Sequence, residues 1–204
     1  SKSTLKFLLT QINLDDPADI WTIDGSLNTL SDRPGMDSQK TNAYGIRFFH
    51  ILENFEFQSL TSMTDTDVVL SYDADWGNPS THSPYIYDYF SETLRFRETI
   101  SQEFRLLSNK ADFNSNQRYE WVVGMNFFES NEKNLKKDDG IYGDPSDPYS
   151  PYVSESSSSS KFDIRNFSIY GNLNYLINES TKFSMGLRWE NSESKYSDSF
   201  GESF

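Results

Sequence analysis

The chain has 204 residues and only two histidines, His50 and His82. They lie far apart, and neither belongs to a HExxH, GxSxG or similar catalytic pattern. Cysteine is absent, which excludes thiol nucleophiles, disulfides, zinc fingers and iron-sulfur ligation. The 31 Asp and Glu residues fall in acidic stretches without a spacing that would pair them as general acid and base, so they read as solvated surface charge. No residue is assigned a catalytic role, and the chain is not read as an enzyme.

Two stretches hold residue types suited to binding. Asp138, Asp139, Asp144 and Asp147 surround Gly140 and Gly143, and calcium favours flexible loops rich in oxygen ligands. The spacing is not that of an EF-hand, and a solvated loop is the competing reading. The loop Trp76 to Phe90 carries Tyr85, Tyr87 and Tyr89, which with Trp76 could present flat aromatic surface to an incoming chelate or sugar. Its competing reading is self-packing of the loop. No resident cofactor is expected.

The formal net charge is -13, and the 18 Lys and Arg are scattered, which argues against nucleic acid as a partner. Cationic or metal-chelate ligands suit that sign better. Hydrophobic residues make up 35% of the chain, and no apolar run approaches the roughly 18 residues of a spanning helix. Yet aromatic residues reach 16%, amid abundant Ser, Asn, Asp and Glu. Such a mixture needs elements with two faces of opposite character.

Strand periodicity supplies them. In Gln117 to Glu129, Tyr119, Trp121, Val123, Met125 and Phe127 alternate with Arg118, Glu120, Val122, Gly124 and Asn126. From Thr181 onward, Phe183, Met185, Leu187 and Trp189 alternate with Lys182, Ser184, Gly186, Arg188 and Glu190. Asn166 to Ile177 does the same, and Asn178-Glu179-Ser180 is short enough to force a hairpin. Further hairpins are expected between Ala43 to Leu52 and Phe55 to about Leu70, turning at Glu53-Asn54, and between Leu5 to Gln11 and Ile20 to Leu27, turning at Asp15-Asp16-Pro17. Thr93 to Leu107 returns toward Gln117 through Asn109 to Asn116.

The pattern predicts about eight antiparallel strands whose connections alternate between tight turns and long polar loops. The long ones are Asn28 to Asn42, Tyr72 to Glu92 and Asn131 to Lys161, and Ser154 to Ser160 (SESSSSS) reads as a mobile part of the last. Charged residues and glycines on the polar faces suit a hydrated lumen, and Trp21, Tyr44, Tyr119, Tyr175 and Trp189 near strand ends suit aromatic girdles. A soluble sandwich, in which a second sheet covers each greasy face, is the alternative.

Several strings taken together carry a family resemblance. Phe57 to Thr64 (FQSLTSMT), Tyr72 to Trp76 (YDADW), Ile100 to Leu106 (ISQEFRL), Trp121 to Glu129 (WVVGMNFFE) and the hairpin from Tyr170-Gly171-Asn172-Leu173 to Met185-Gly186-Leu187-Arg188-Trp189 resemble, in order and spacing, the middle barrel of TonB-dependent receptors. The resemblance covers about Leu5 to Trp189. It implies an all-β fold, an antiparallel transmembrane β-barrel segment of a barrel of about twenty-two strands, with short periplasmic turns and long extracellular loops. Residues 1–204 would then be a partial barrel domain lacking the plug, the TonB box and the closing strands.

The implied location is the outer membrane of a Gram-negative bacterium. The implied function is active uptake of a large nutrient, a ferric siderophore first among them. Its partners would be outer-membrane lipid, the nutrient, and TonB with the inner-membrane energising complex acting through the plug. Two alternatives stay open: a structural, porin-like or adhesive barrel, and a secreted β-sandwich that binds carbohydrate.

Overall fold

A computed structural model describes residues 2–18, 28–110 and 117–203. These form one antiparallel sheet in which every strand pairs with its sequence neighbour: β1 (Lys2–Asp16), β2 (Met36–Ile51), β3 (Phe55–Asp73), β4 (Ile86–Ser108), β5 (Tyr119–Gly143), β6 (Tyr152–Asn178) and β7 (Thr181–Ser203). One helical turn, α1 (Pro79–His82), interrupts the β3–β4 connection. No helix among the described residues is long and apolar enough to cross a membrane.

Among the described residues seven strands are therefore observed where about eight are expected. The expected strand over Ile20 to Leu27 lies outside the described residues, and the ladder partner of β1 is β2, with Leu5 opposite Phe48 and Asp16 opposite Asp37. The hairpin at Glu53-Asn54 is as expected, closed by the Leu52 amide donating to the Phe55 carbonyl at 2.9 Å. So is the one at Asn178-Glu179-Ser180, where the Asn178 side chain accepts from the amide and hydroxyl of Ser180, both at 3.0 Å.

The expected long loops need correction. Residues 36–42, 86–92, 131–143 and 152–161 are strand, and the connections shrink to 74–85 between β3 and β4 and 144–151 between β5 and β6. Ser154 to Ser160 is an inner strand segment, each serine paired with β5 on one side and most of them with β7 on the other. The reason is that a ladder bonds main chain to main chain, so an inner strand stays extended even when both its faces are polar. Sequence periodicity sees only strands whose faces differ.

They do differ over part of each strand. Register places Leu5, Phe48, Ser59, Phe104, Met125, Ile169 and Trp189 in one line across all seven strands on one face. That line runs through an apolar band covering Leu5–Leu9 on β1, Tyr44–Phe48 on β2, Phe55–Met63 on β3, Ile100–Leu106 on β4, Tyr119–Phe127 on β5, Phe167–Ile177 on β6 and Phe183–Trp189 on β7. Rings touch along it, Phe48 with Phe57 and Phe57 with Phe104 at 6.2 Å between centroids, and Phe167 with Trp189 at the same distance. Nothing covers it: among the described residues no hydrophobic side chain is buried, and Leu187 is 77% exposed.

At one end the band stops at the hairpin turns. At the other it stops along a line of polar residues, Gln11, Asn42, Asp65, Glu98, Glu129, Arg165 and Asn191, one per strand on the same face. Beyond that line the sheet continues; β5 from Glu129 to Gly143 adds about 50 Å at ~3.4 Å per residue. The two ends of the sheet thus differ in strand extension and in their connections, which are 52–54, 109–118 and 179–180 at the band end and 17–35, 74–85 and 144–151 at the far end.

Candidate functional site

The opposite, polar face carries the side chains with specific partners. Level with the apolar band, Tyr170 leans across Gly124, so that its hydroxyl donates to Glu103 Oε1 at 2.6 Å and accepts from Arg105 Nε at 3.0 Å. A Cβ on Gly124 would lie 2.5 Å from the Tyr170 ring, so only glycine leaves room for this crossing. Arg105 also bonds Glu103 at 2.6 Å, and Lys182 bonds Glu120 at 3.0 Å. Farther along, Arg95 and Arg97 share Glu132. Every acid in this network faces a base or a donor, as a hydrated but crowded surface requires.

At the far end of the same face stands an aromatic shelf. Tyr87, Tyr142 and Tyr152 are direct cross-strand neighbours on β4, β5 and β6. Tyr87 lies 4.8 Å from Tyr89 and 6.4 Å from Tyr142 between centroids, the latter edge-on at 88°. Tyr89 is seated on Gly140, where a Cβ would come within 2.2 Å of its ring. His82 closes the shelf edge-on against Tyr87 at 5.3 Å. Tyr87 and Tyr152 remain exposed, so their faces are open to a ligand.

His82 is placed by local chemistry. Asn78 caps α1, accepting from Ser80 and Thr81, while the Thr81 hydroxyl accepts from the Asn78 amide. Asp75, nearly buried, then accepts from Gly77 N at 2.9 Å, from Tyr89 N at 2.7 Å, and contacts His82 Nε2 at 3.1 Å. This leaves Trp76 in a left-handed conformation, φ 60°, and the residue 46% exposed. Next to it Asp73 is fully buried and accepts from the amides of Asp32 and Asp75 at 3.2 and 3.3 Å. Burial, followed by the charge of Asp75, raises the Asp73 carboxyl above its ordinary value despite those hydrogen bonds.

Of the aromatic candidates read from sequence, Tyr87 and Tyr89 are brought together. Tyr85 and Trp76 are exposed in the neighbouring connection, outside the stacked group. Tyr142, Tyr152 and His82 were missed. They come from three separate segments, and register is the signal that joins them.

The four aspartates are dispersed. Asp138 and Asp139 are consecutive on β5 and point to opposite faces. Asp138 meets Ser91 at 2.6 Å and Lys136 at 2.9 Å; burial pushes its carboxyl up, but these partners outweigh it and hold it below the ordinary range. Asp139 pairs with Arg33 at 2.7 Å on the other face, where the Arg33 guanidinium also lies over Phe90 at 4.5 Å. In the β5–β6 turn, Asp144 accepts from Ser146 at 2.8 Å, and Asp147 accepts from Tyr152 at 2.7 Å. Among the described residues no group of three or more acidic or imidazole side chains is placed to hold a metal ion.

No protein-family model matches the chain, and no curated protein does. Among solved structures it is similar to the ferric yersiniabactin uptake receptor FyuA of Yersinia pestis, with a TM-score of 0.58 and 11% identity over 98% of this chain and 31% of that one. The chain thus spans about a third of that receptor's length. At this identity the likeness concerns the fold: a run of meandering antiparallel strands such as makes up part of a β-barrel wall.

Proposed function

We propose that the chain is part of the wall of an outer-membrane β-barrel receptor that takes up a large nutrient, a ferric siderophore being the leading class, by TonB-dependent transport. The observation that carries this reading is the uncovered apolar band on one face, bounded by turns and by a line of polar residues, with a bonded polar network on the other. A strand needs about 9–11 residues to cross a bilayer when tilted. The band supplies nine on β5, Tyr119–Phe127, about 27 Å along the strand and close to 20 Å high at a tilt near 40°.

On this reading the apolar band meets lipid and the polar face lines the lumen. The extended ends project outward and hold the tyrosine shelf over the mouth. Open rings on a rigid sheet offer stacking surface to a planar or chelated ligand. Coupling to TonB and the energising complex belongs to a plug domain elsewhere in the complete protein.

The test is to reconstitute the complete protein in lipid nanodiscs and titrate it with ferric chelates, ferric yersiniabactin among them, following quenching of intrinsic fluorescence. The Tyr87→Ala/Tyr142→Ala double variant should weaken binding at least about fivefold, since each lost stacking contact is worth about 0.5–1.5 kcal/mol beyond area. Binding unaffected by the double variant would remove the shelf from the site. A stable, detergent-free monomer of the complete protein would refute the barrel itself.

A further inference from the structure

At the far end of the sheet, the face that carries the apolar band also holds a cation of the chain itself. The Arg33 guanidinium lies 4.5 Å from the centroid of the Phe90 ring, between the carboxylates of Asp88 at 3.1 Å and Asp139 at 2.7 Å. On the opposite face of the same strands the same groups recur with no cation supplied. Tyr87 and Tyr142 meet at 88° with 6.4 Å between centroids, so two ring faces form a corner, and Tyr152 stands beside Tyr142 across the ladder. All three are exposed. The Tyr152 hydroxyl donates to Asp147 at 2.7 Å, which pushes electron density onto its ring. Asp144, in the same turn, accepts from the hydroxyl and the amide of Ser146, which hold its carboxyl below the ordinary range and so charged at neutral pH. Residues 138–155 hold five carboxylates, Asp138, Asp139, Asp144, Asp147 and Glu155, and none of the chain's 18 Lys and Arg. Among the described residues no Lys or Arg lies over the three rings. His82 meets Tyr87 edge-on and is held there by Asp75.

We propose that the tyrosine shelf is a site for an alkylated ammonium group, so that the nutrient it takes is an organic cation or bears one. The proposal rests on the reading of the shelf as the nutrient site and narrows its ligand. The face of a tyrosine ring is the negative part of its quadrupole and attracts a cation held within about 6 Å of the centroid. A corner of two rings offers two such faces to one ammonium. Alkyl groups on the nitrogen suit the corner further, because they pack on the rings and weaken the hydration that binding must remove. The carboxylates at the rim add a field that draws cations to the shelf and repels anions. A polyanionic ferric chelate is therefore disfavoured, and a chelate with a cationic arm is favoured.

The test uses the complete protein in maltoside micelles, which contain no choline headgroup, titrated by saturation-transfer NMR with choline and with its neutral isostere, in which a tert-butyl group replaces the trimethylammonium. Choline should bind at least about fivefold more tightly than the isostere, as two exposed ring contacts imply, and raising the salt should shrink the preference. Tyr87→Leu/Tyr142→Leu should abolish it. Tyr87→Phe/Tyr142→Phe, which keeps the rings, should preserve it, and this separates loss of the ring faces from loss of the fold. Asp144→Asn/Asp147→Asn should lower choline affinity about twofold and leave the isostere unchanged. Equal affinity for the two ligands, no binding of either, or a preference that survives the leucine variant overturns the proposal. The chelate titration reports separately: ferric chelates bound with no preference for choline overturn the proposal and spare the nutrient reading, whereas choline preferred with no chelate bound overturns the ferric class and spares the proposal.

Discussion

Met125 and Asn126 are adjacent on β5 and face opposite sides, which makes Arg at each position a matched pair of perturbations. Met125 lies between Phe104 and Ile169 on the apolar face and is 44% exposed, with no layer above it. It is about 20 Å along the strand from Tyr119, within roughly 5 Å of the middle of the band. A guanidinium there faces hydrocarbon, and the cost near the midplane is about 2–4 kcal/mol. Asn126 lies opposite Glu103, with Glu190 next to its other neighbour Ser168, so Arg at 126 finds water and carboxylates. Its cost should stay below about 1 kcal/mol, the range of exposed polar substitutions. The complete protein is folded into bilayers and unfolded in denaturant with Trp fluorescence as the signal. Met125→Arg should lower stability by about 2–4 kcal/mol and Asn126→Arg by less than about 1 kcal/mol. Equal costs, or a larger one at 126, would refute the assignment of the faces.

Gly124→Val should displace the Tyr170 ring, break its bonds to Glu103 and Arg105, and cost about 1–3 kcal/mol in denaturant unfolding; adding Tyr170→Ala should recover part of that cost, and no recovery would separate the glycine from the ring. Protease added to intact cells should cut within 144–151 and leave Ser154 to Ser160 intact; cleavage among those serines, or only in permeabilised cells, would contradict the strand or the topology. Two acids beyond the band titrate with opposite signs. Asp138 has a depressed folded pKa, so its contribution is present above its ordinary value of 3.8 and is lost as pH falls through the lower, folded value. Asp73 has a raised one, so the folded chain binds the extra proton and order around it increases as pH falls through that value. Amide protection near Asp73, corrected for intrinsic exchange, should therefore rise as pH falls toward the ordinary carboxylate value and become flat in Asp73→Asn; protection falling over that range in the parent chain would reverse the sign.

The parts of the fold legible in sequence are those where the two faces of a strand meet different surroundings. Tyr119 to Phe127 and Phe183 to Trp189 announce themselves because one face is apolar and the other polar. Residues 131–143 and 152–161 were hidden because both their faces are polar, and a serine run looks alike in a loop and in an inner strand. Tyr87 and Tyr89 were found together because they are two residues apart on one strand. Tyr142 and Tyr152 were beyond reach, since they join the shelf only through register across β4, β5 and β6. The four aspartates show the converse: closeness in sequence suggested a cluster, but strand alternation and separate partners pull Asp138 and Asp139 apart.

The most direct measurement is a spin-label scan along β5 from Tyr119 to Gly143 in the complete protein folded into bilayers, reading accessibility to oxygen and to a water-soluble nickel chelate. At 119, 121, 123, 125 and 127 the label should be reached by oxygen and shielded from nickel, and at the even positions between them oxygen should reach it less. From Glu129 onward the oxygen maximum should vanish on both faces, because the strand has left the lipid. A period-two oxygen signal continuing to Gly143, or equal nickel access at 125 and 126, would contradict the account.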